Sequence, residues 1–271
     1  MTTGVIFQPS RRIRPKRAVR KSVRGIPSGR GLLLIVAALI LWEFLGTDRS
    51  ISFPRPNTWI QSLVLLQKSG DLAPAAVSTL TTFLMSLVLA ILLGAVLGML
   101  IGGSWLMDRA LTPVMDFFRT LPPPAIVPVA AIIFGPTLTA SVLIVLIAII
   151  WPILLNTANS VRSMPQVRKD MAITVGLSRV ERLTKVLIPS LLPGVFMGTK
   201  VAVSTSLVVT LLVDILGYAS GIGRLLIERQ QQFDASSVWG LLLLVGVFGY
   251  LLNLTLGLIE TRLLRNWGNA K

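Results

Sequence analysis

Residues 170–193 read DMAITVGLSRVERLTKVLIPSLLP and form the one charge-rich interval in the apolar second half of the chain. Arg162, Arg168, Lys169, Asp170, Arg179, Glu181, Arg182 and Lys185 lie in it or just before it. Apolar runs long enough to cross a bilayer flank it on both sides. A short helix is expected from Val167 to Val175, with Met171, Ala172 and Val175 on one face by i, i+1, i+4 spacing. Gly176 then breaks or caps that helix. A second amphipathic helix is expected from Ser178 to Leu187, ended by Pro189. Ser178 suits an N-cap, and Glu181, three residues on, completes a capping box. Two short helices joined in an elbow between membrane spans suit the docking of a soluble partner. An ordinary amphipathic loop shielding the membrane surface would show the same pattern.

The chain has 271 residues, of which 53% are hydrophobic and 14% charged. That balance belongs to a polytopic membrane protein rather than a soluble domain. There is no Cys and no His. Disulfides, thiol chemistry and the usual zinc or haem ligands are therefore excluded, and no metal site is expected. The net charge of +15 suits either nucleic acid or an anionic surface. Its distribution decides for the surface.

Residues 1–30 carry nine Lys and Arg and no acid. A secretory signal would have a shorter basic region and a small-x-small cleavage site, whereas the apolar run here ends in LWEFLG, residues 41–46. A nucleic-acid arm would need interleaved aromatics or a binding module. The favoured reading is a disordered cytoplasmic tail that pins topology and lies on anionic membrane lipid, at about 1 kcal/mol per basic residue near the surface.

Residues 31–271 form the membrane domain of an all-α, polytopic protein. The first span is Leu32 to Gly46, extending back toward Ser28 to reach across a core of about 30 Å. Trp42 sits where an interfacial aromatic belongs. Residues 47–74 are expected as a polar loop with Pro54 and Pro56. Ala75 to Gly103 is the second span, with Gly94, Gly98 and Gly102 four apart on one face. Such spacing lets another helix approach closely and is read as plain packing. Trp105 to Thr120 is an interfacial or cytoplasmic segment. In LPPPAIVPVAAIIFGP the prolines forbid a regular helix start before about Pro124. A broken or kinked third span ending near Phe134 follows, facing the inside of the bundle. Leu138 to Asn159, Gly194 to Leu216 and Trp239 to Ile259 are the fourth, fifth and sixth spans. With both termini inside, 21 of the 26 Lys and Arg fall on the cytoplasmic side; only Arg49, Arg55, Lys68, Arg224 and Arg229 lie outside. So lopsided a count supports six spans with the 160–192 loop in the cytoplasm.

No catalytic constellation is visible. Without His or Cys, a Ser-His-Asp or Cys-His arrangement is impossible. Gly194 to Lys200 superficially suggests a phosphate loop, but three residues separate its glycines and Thr199 intervenes before Lys200, so the Walker A spacing fails. Any energy from ATP must come from a partner. Two charges lie inside spans, where each costs ~2.5–3.5 kcal/mol at mid-membrane. Lys200 opens the fifth span and is expected to snorkel to the cytoplasmic headgroups, the alternative being a pathway role. Asp214 ends the same span near the outer side. It is either a pathway or gate residue or a satisfied cap of the Gly217–Gly223 turn.

These residues resemble a known family. Asp170, Met171 and Ala172, then Gly176, then Val186, Ile188 and Pro189 keep the spacing of the "EAA" loop of bacterial ABC importer permeases, with Asp for Glu and Met for Ala at the first two places. The stretch RTLPPPAIVPVAAIIFG, residues 119–135, is similar to the family's third span, which places Pro124 and Pro128 in the translocation pathway. WPILLNT, residues 151–157, is similar to its fourth-span ending. Lys200 stands where the family usually has Arg and Asp214 where it usually has Glu. GIGRLLIE, residues 221–228, resembles an element of the nitrate, sulfonate and taurine subgroup. The similarity covers roughly residues 32–267.

The resemblance implies a type I importer permease of six transmembrane helices in the bacterial inner membrane. Its partners would be two cytoplasmic ATPase subunits that carry ATP and Mg, a second copy of itself, and an extracytoplasmic solute-binding protein. No cofactor is expected in this chain and no nucleic acid. Asp170, Met171, Ala172, Gly176, Ile188 and Pro189 would couple it to the ATPases. The solute implied is small and anionic or zwitterionic. A stand-alone secondary transporter is the rival. It would need an ion-coupling group within the membrane, for which only Asp214 offers itself.

Overall fold

The computed structural model describes residues 28–47, 50, 52–216 and 220–264. Residues 1–27 of the basic tail, Arg49, residues 217–219 of the expected Gly217–Gly223 turn and the last seven residues lie outside that set. The chain falls into two compact units, Met1–Trp42 and Glu43–Lys271. Helix α1, Ser28–Leu45, supplies the described part of the first unit and carries the apolar run of the expected first span. Among the described residues all regular structure is helical.

The second unit is built on three long helices. These are α3 (Leu72–Gly103), α6 (Leu138–Arg162) and α9 (Ile188–Ile215), with α6 packed between the other two. Glycine makes both contacts close. A Cβ at Gly98 would stand 2.6 Å from the Leu154 carbonyl oxygen, and one at Gly102 would stand 2.6 Å from that of Ala158. From the other side, a Cβ at Gly198 would stand 2.5 Å from Ile153 Cα, and one at Gly194 would stand 2.6 Å from the Asn156 carbonyl oxygen. Lipid tails are as apolar as leucine, so membrane helices associate through close packing of this kind. The Gly94–Gly98–Gly102 stripe is therefore a packing face. Gly194 and Gly198, which at first suggest a phosphate loop, form a second one. Phe83, Ile144, Val145, Ile149, Ile153 and Val209 fill the space between.

Helix α11, Ala235–Leu264, runs along the outside of this core. Four helices among the described residues are long and apolar enough to cross a membrane: Leu72–Gly103, Leu138–Arg162, Arg179–Ile215 and Ala235–Glu260. Leu33–Leu45 and Pro124–Phe134 are shorter apolar helices. The shorter of these belongs to α5, Pro123–Phe134. Its 12 residues rise about 18 Å, well under a core of about 30 Å. One face, with Val127 and Ala130, is buried against α6 and α9, while Val129, Ile132 and Ile133 are exposed. So only one side of the expected third span faces inward. The amphipathic helix α4, Trp105–Thr120, precedes it.

Two expectations are corrected. Residues 47–74 are not all loop, because Pro56–Lys68 forms helix α2. Pro56 lies in its first turn, where a missing N–H does no harm. Trp59 and Leu66 turn inward, and a Cβ at Gly240 would stand 2.8 Å from the Trp59 carbonyl oxygen, so α2 lies directly on α11. The Trp59 and Trp239 rings stack at 5.4 Å, and their indoles donate to the Pro54 and Ser52 carbonyls. Nor does Pro189 end a helix. Helix α8, Arg179–Glu181, passes into a π-helical stretch, Arg182–Leu187, which leads straight into α9. Pro189 falls in the first turn of α9, where no donor is required of it. The fifth span is thus continuous with the elbow.

Candidate coupling elbow and buried clasp

The elbow opens where α6 ends. Arg162 is ion-paired with Asp108 of α4, which ties the end of α6 to the amphipathic segment. Pro165 then caps α7, Gln166–Thr174. Gly176 has φ +76°, a left-handed conformation that a side chain with a Cβ resists. Around it the Leu177 amide donates to Ala172 O at 3.1 Å and the Gly176 amide to Ile173 O at 2.9 Å. These two bonds are the pair of a Schellman ending, so Gly176 closes α7 and reverses the chain. Ser178 opens the next helix with the expected capping box: the Glu181 amide donates to Ser178 Oγ at 3.3 Å, and the Ser178 amide to Glu181 Oε2 at 3.0 Å. Lys185 Nζ holds the other carboxylate oxygen at 2.8 Å. Arg168 donates to Ser190 Oγ at 3.0 Å, fastening α7 to the start of α9.

The elbow is well ordered by hydrogen bonds, yet its apolar side chains point away from the protein. Val167, Met171, Ile173, Val175 and Val180 are all exposed. Asp170 is exposed as well, accepting from Gln166 Nε2 at 3.0 Å. Ala172 departs from the expected shared face with Met171 and Val175. It is 6% exposed, turned into the chain where the Schellman turn uses its carbonyl. Ile188 is exposed and Pro189 half-buried.

At the far end of α9 lies a second arrangement. Asp214 is fully buried, and its Oδ2 accepts from Thr79 Oγ1 of α3 at 2.7 Å. The same hydroxyl oxygen accepts from the Ile222 amide at 2.8 Å. Ile222 is the first residue of α10, Ile222–Gln231, and its amide is one of the donors a helix start leaves unpaired. Thr79 therefore caps α10, and Asp214 orients Thr79. A Cβ at Gly221 would stand 2.0 Å from the Asp214 carboxylate, and one at Gly223 would stand 2.4 Å from the Leu211 carbonyl oxygen. The Gly-x-Gly at 221–223 is thus dictated by closeness to α9. The geometry shows Asp214 supporting the cap of α10 through a partner on α3. Sequence reasoning missed Thr79, which is one hydroxyl among several on a span.

Lys200 is exposed and has a partner within the chain. Rather than reaching for headgroups alone, its Nζ meets Glu260 Oε2 of α11 at 2.5 Å. Each charge spares the other an unpaired position near the membrane. Glu260, the acid at the end of the last span, was the available signal. Pro124 and Pro128 have exposed side chains in this chain.

The family model for the binding-protein-dependent transport system inner membrane component matches residues 90–266. A nitrate import permease protein of Leptolyngbya laminosa is 35% identical over 174 residues, which is 64% of this chain and 62% of that protein. A bicarbonate transport system permease protein of Synechococcus elongatus is 28% identical over 87% of this chain and 91% of its own length. The taurine transport system permease protein of Escherichia coli is 24% identical over 84% and 86%. Among solved structures, a chain from an amino acid ABC transporter with histidines superposes with a TM-score of 0.57, covering 75% of this chain and 97% of that one at 15% identity. That likeness is one of fold.

Proposed function

The chain belongs to the family of binding-protein-dependent transport system inner membrane components, the permease subunits of ABC importers, and from that premise we propose that it carries a small anionic or zwitterionic solute inward across the membrane. Relatives named for nitrate, bicarbonate and taurine support that solute class. Family membership favours an importer subunit over a stand-alone secondary transporter. The working complex is read as two copies of this chain, two cytoplasmic ATPase subunits that bind ATP and Mg, and an extracytoplasmic solute-binding protein. Each copy has six spans, the two short apolar helices Leu33–Leu45 and Pro124–Phe134 completing the four long ones. Both termini and the elbow face the cytoplasm, which follows from the excess of basic residues there.

The observation that carries this reading is the elbow. It is braced internally by a Schellman turn, a capping box and the Arg168–Ser190 bond, while it turns an apolar surface outward. A surface of that kind awaits a partner. ATP binding closes the ATPases, the docked elbow moves with them, and α9, continuous with it, carries the movement through the bundle. The chain supplies mechanical coupling and no bond chemistry. Reconstitution tests this. Uptake into proteoliposomes that contain the chain with its ATPase, supplied with the solute-binding protein, should require ATP on the elbow's side of the membrane. Uptake driven by an ion gradient alone, without the ATPase, would overturn it.

A further inference from the structure

Outside the buried clasp lies a cavity of about 490 Å³, within the range of small-molecule sites. Its charged lining consists of Asp71, Arg224, Glu228 and Arg229, and its floor includes Ala75 and Gly221. Ala75 stands one turn before Thr79 on α3, and Gly221 abuts the Asp214 carboxylate. The cavity therefore ends on the sealed Thr79–Asp214–Ile222 clasp.

The lining is balanced in charge. Arg224 Nε meets Glu228 Oε1 at 2.9 Å, and Arg229 meets Asp71 Oδ2 at 2.7 Å. All four side chains are part-exposed to solvent, so neither pair is held strongly. A simple anion entering here gains an arginine but faces the carboxylate released from it. A simple cation meets the reverse. A ligand that carries both charges exchanges one protein pair for two protein–ligand pairs and leaves no charge unmatched. Arginine offers a fork that suits a carboxylate or sulfonate, and Glu228 or Asp71 suits an ammonium group. Resting on the importer reading above, we propose that this cavity is an entry subsite selective for a small zwitterion, an acid group with an ammonium group, held outside the clasp before passage.

The test uses the full chain with its ATPase in lipid nanodiscs and reads ligand binding by saturation-transfer NMR. Taurine and glycine serve as zwitterionic probes; ethanesulfonate, acetate and ethylamine are their one-charge analogues. Both zwitterions should bind saturably, and at least about tenfold more tightly than the analogues, since each analogue loses one charge-assisted contact. Glu228→Gln should weaken taurine about tenfold and leave ethanesulfonate unchanged or improved. Arg224→Gln should weaken both sulfonates. Both positions are exposed, so assembly with the ATPase, checked by size exclusion, should persist, and Lys68→Gln should change nothing. Equal binding of the zwitterions and their analogues, absence of saturable binding by either zwitterion, or indifference to both variants would overturn the subsite and leave the ion pairs as braces for α10. The importer reading fails separately, by loss of ATP-dependent uptake, which probe selectivity does not touch.

Discussion

Thr79 and Asp214 stand 135 positions apart in the chain and are joined by a hydrogen bond of 2.7 Å inside the protein. Through the Ile222 amide the pair holds three helices, α3, α9 and α10, at one point. Asn at position 214 keeps an acceptor oxygen for Thr79, removes the charge and turns the second buried oxygen into an amide. Asp214→Asn should therefore assemble normally and transport within about twofold of the parent. Thr79→Val removes donor and acceptor together and strands both partners in a buried place, at a cost of about 1–3 kcal/mol each. The melting temperature of the purified complex should fall in Thr79→Val and recover in Thr79→Ser. Loss of transport in Asp214→Asn with stability intact would give the carboxylate a role in passage instead.

The glycine stripe makes a sharper prediction about packing. At Gly98 an added Cβ meets backbone, Leu154 O at 2.6 Å, and backbone cannot swing aside. At Gly103, one residue beyond the stripe, a Cβ meets nothing within 4 Å. Gly98→Leu should thus part α3 from α6 and lower the yield of folded protein severalfold, overpacking of this sort costing roughly 1–3 kcal/mol or more. Gly103→Ala should be neutral. Fluorescence size-exclusion of the two variants side by side decides it.

The long apolar helices were legible because hydropathy is a local property and each span states it many times over. Gly176 and the Ser178–Glu181 box were legible for a related reason: caps are written within four residues of where they act. What escaped was either disguised or distant. Helix α2 hid behind Pro54 and Pro56, although Trp59, Leu63 and Leu66 already carried a helical spacing. The π-helical stretch at 182–187 left no mark, because one extra residue per turn changes no residue type. Thr79 and Glu260 act on partners in other helices, and no window along the chain contains both ends of such a contact.

Sidedness can be read by thiol chemistry, since the chain has no Cys of its own. Val175 and Phe233 are both well exposed, at opposite ends of the bundle as the topology has it. In intact cells an impermeant maleimide should label Phe233→Cys and spare Val175→Cys until the membrane is opened. The reverse pattern would place the elbow outside and remove it from any cytoplasmic ATPase.

The elbow's geometry bears on how force passes. Gly176 sits at φ +76°, where a residue with a Cβ is disfavoured by about 1–2 kcal/mol and a β-branched one is a genuine outlier. Gly176→Val should therefore misplace Val167, Met171, Ile173 and Val175 relative to Val180 without unfolding a span. Asp170→Lys acts on the same surface by charge, since the side chain is exposed and, among the described residues, its carboxylate meets Gln166 alone. In both variants the permease should insert and keep its assembly, whereas ATP hydrolysis stimulated by the binding protein and ATP-driven uptake should fall together, at least about tenfold for Gly176→Val. Asp170→Lys should fall less, and further at low salt, because a repelled charge is screened as ionic strength rises. Lys68→Gln, at the outer side, should do none of this. Normal stimulation and uptake in both Gly176→Val and Asp170→Lys would mean that the elbow does not carry the movement, and the coupling would then have to run through another contact, of which the Arg162–Asp108 pair between α6 and α4 is the next to test.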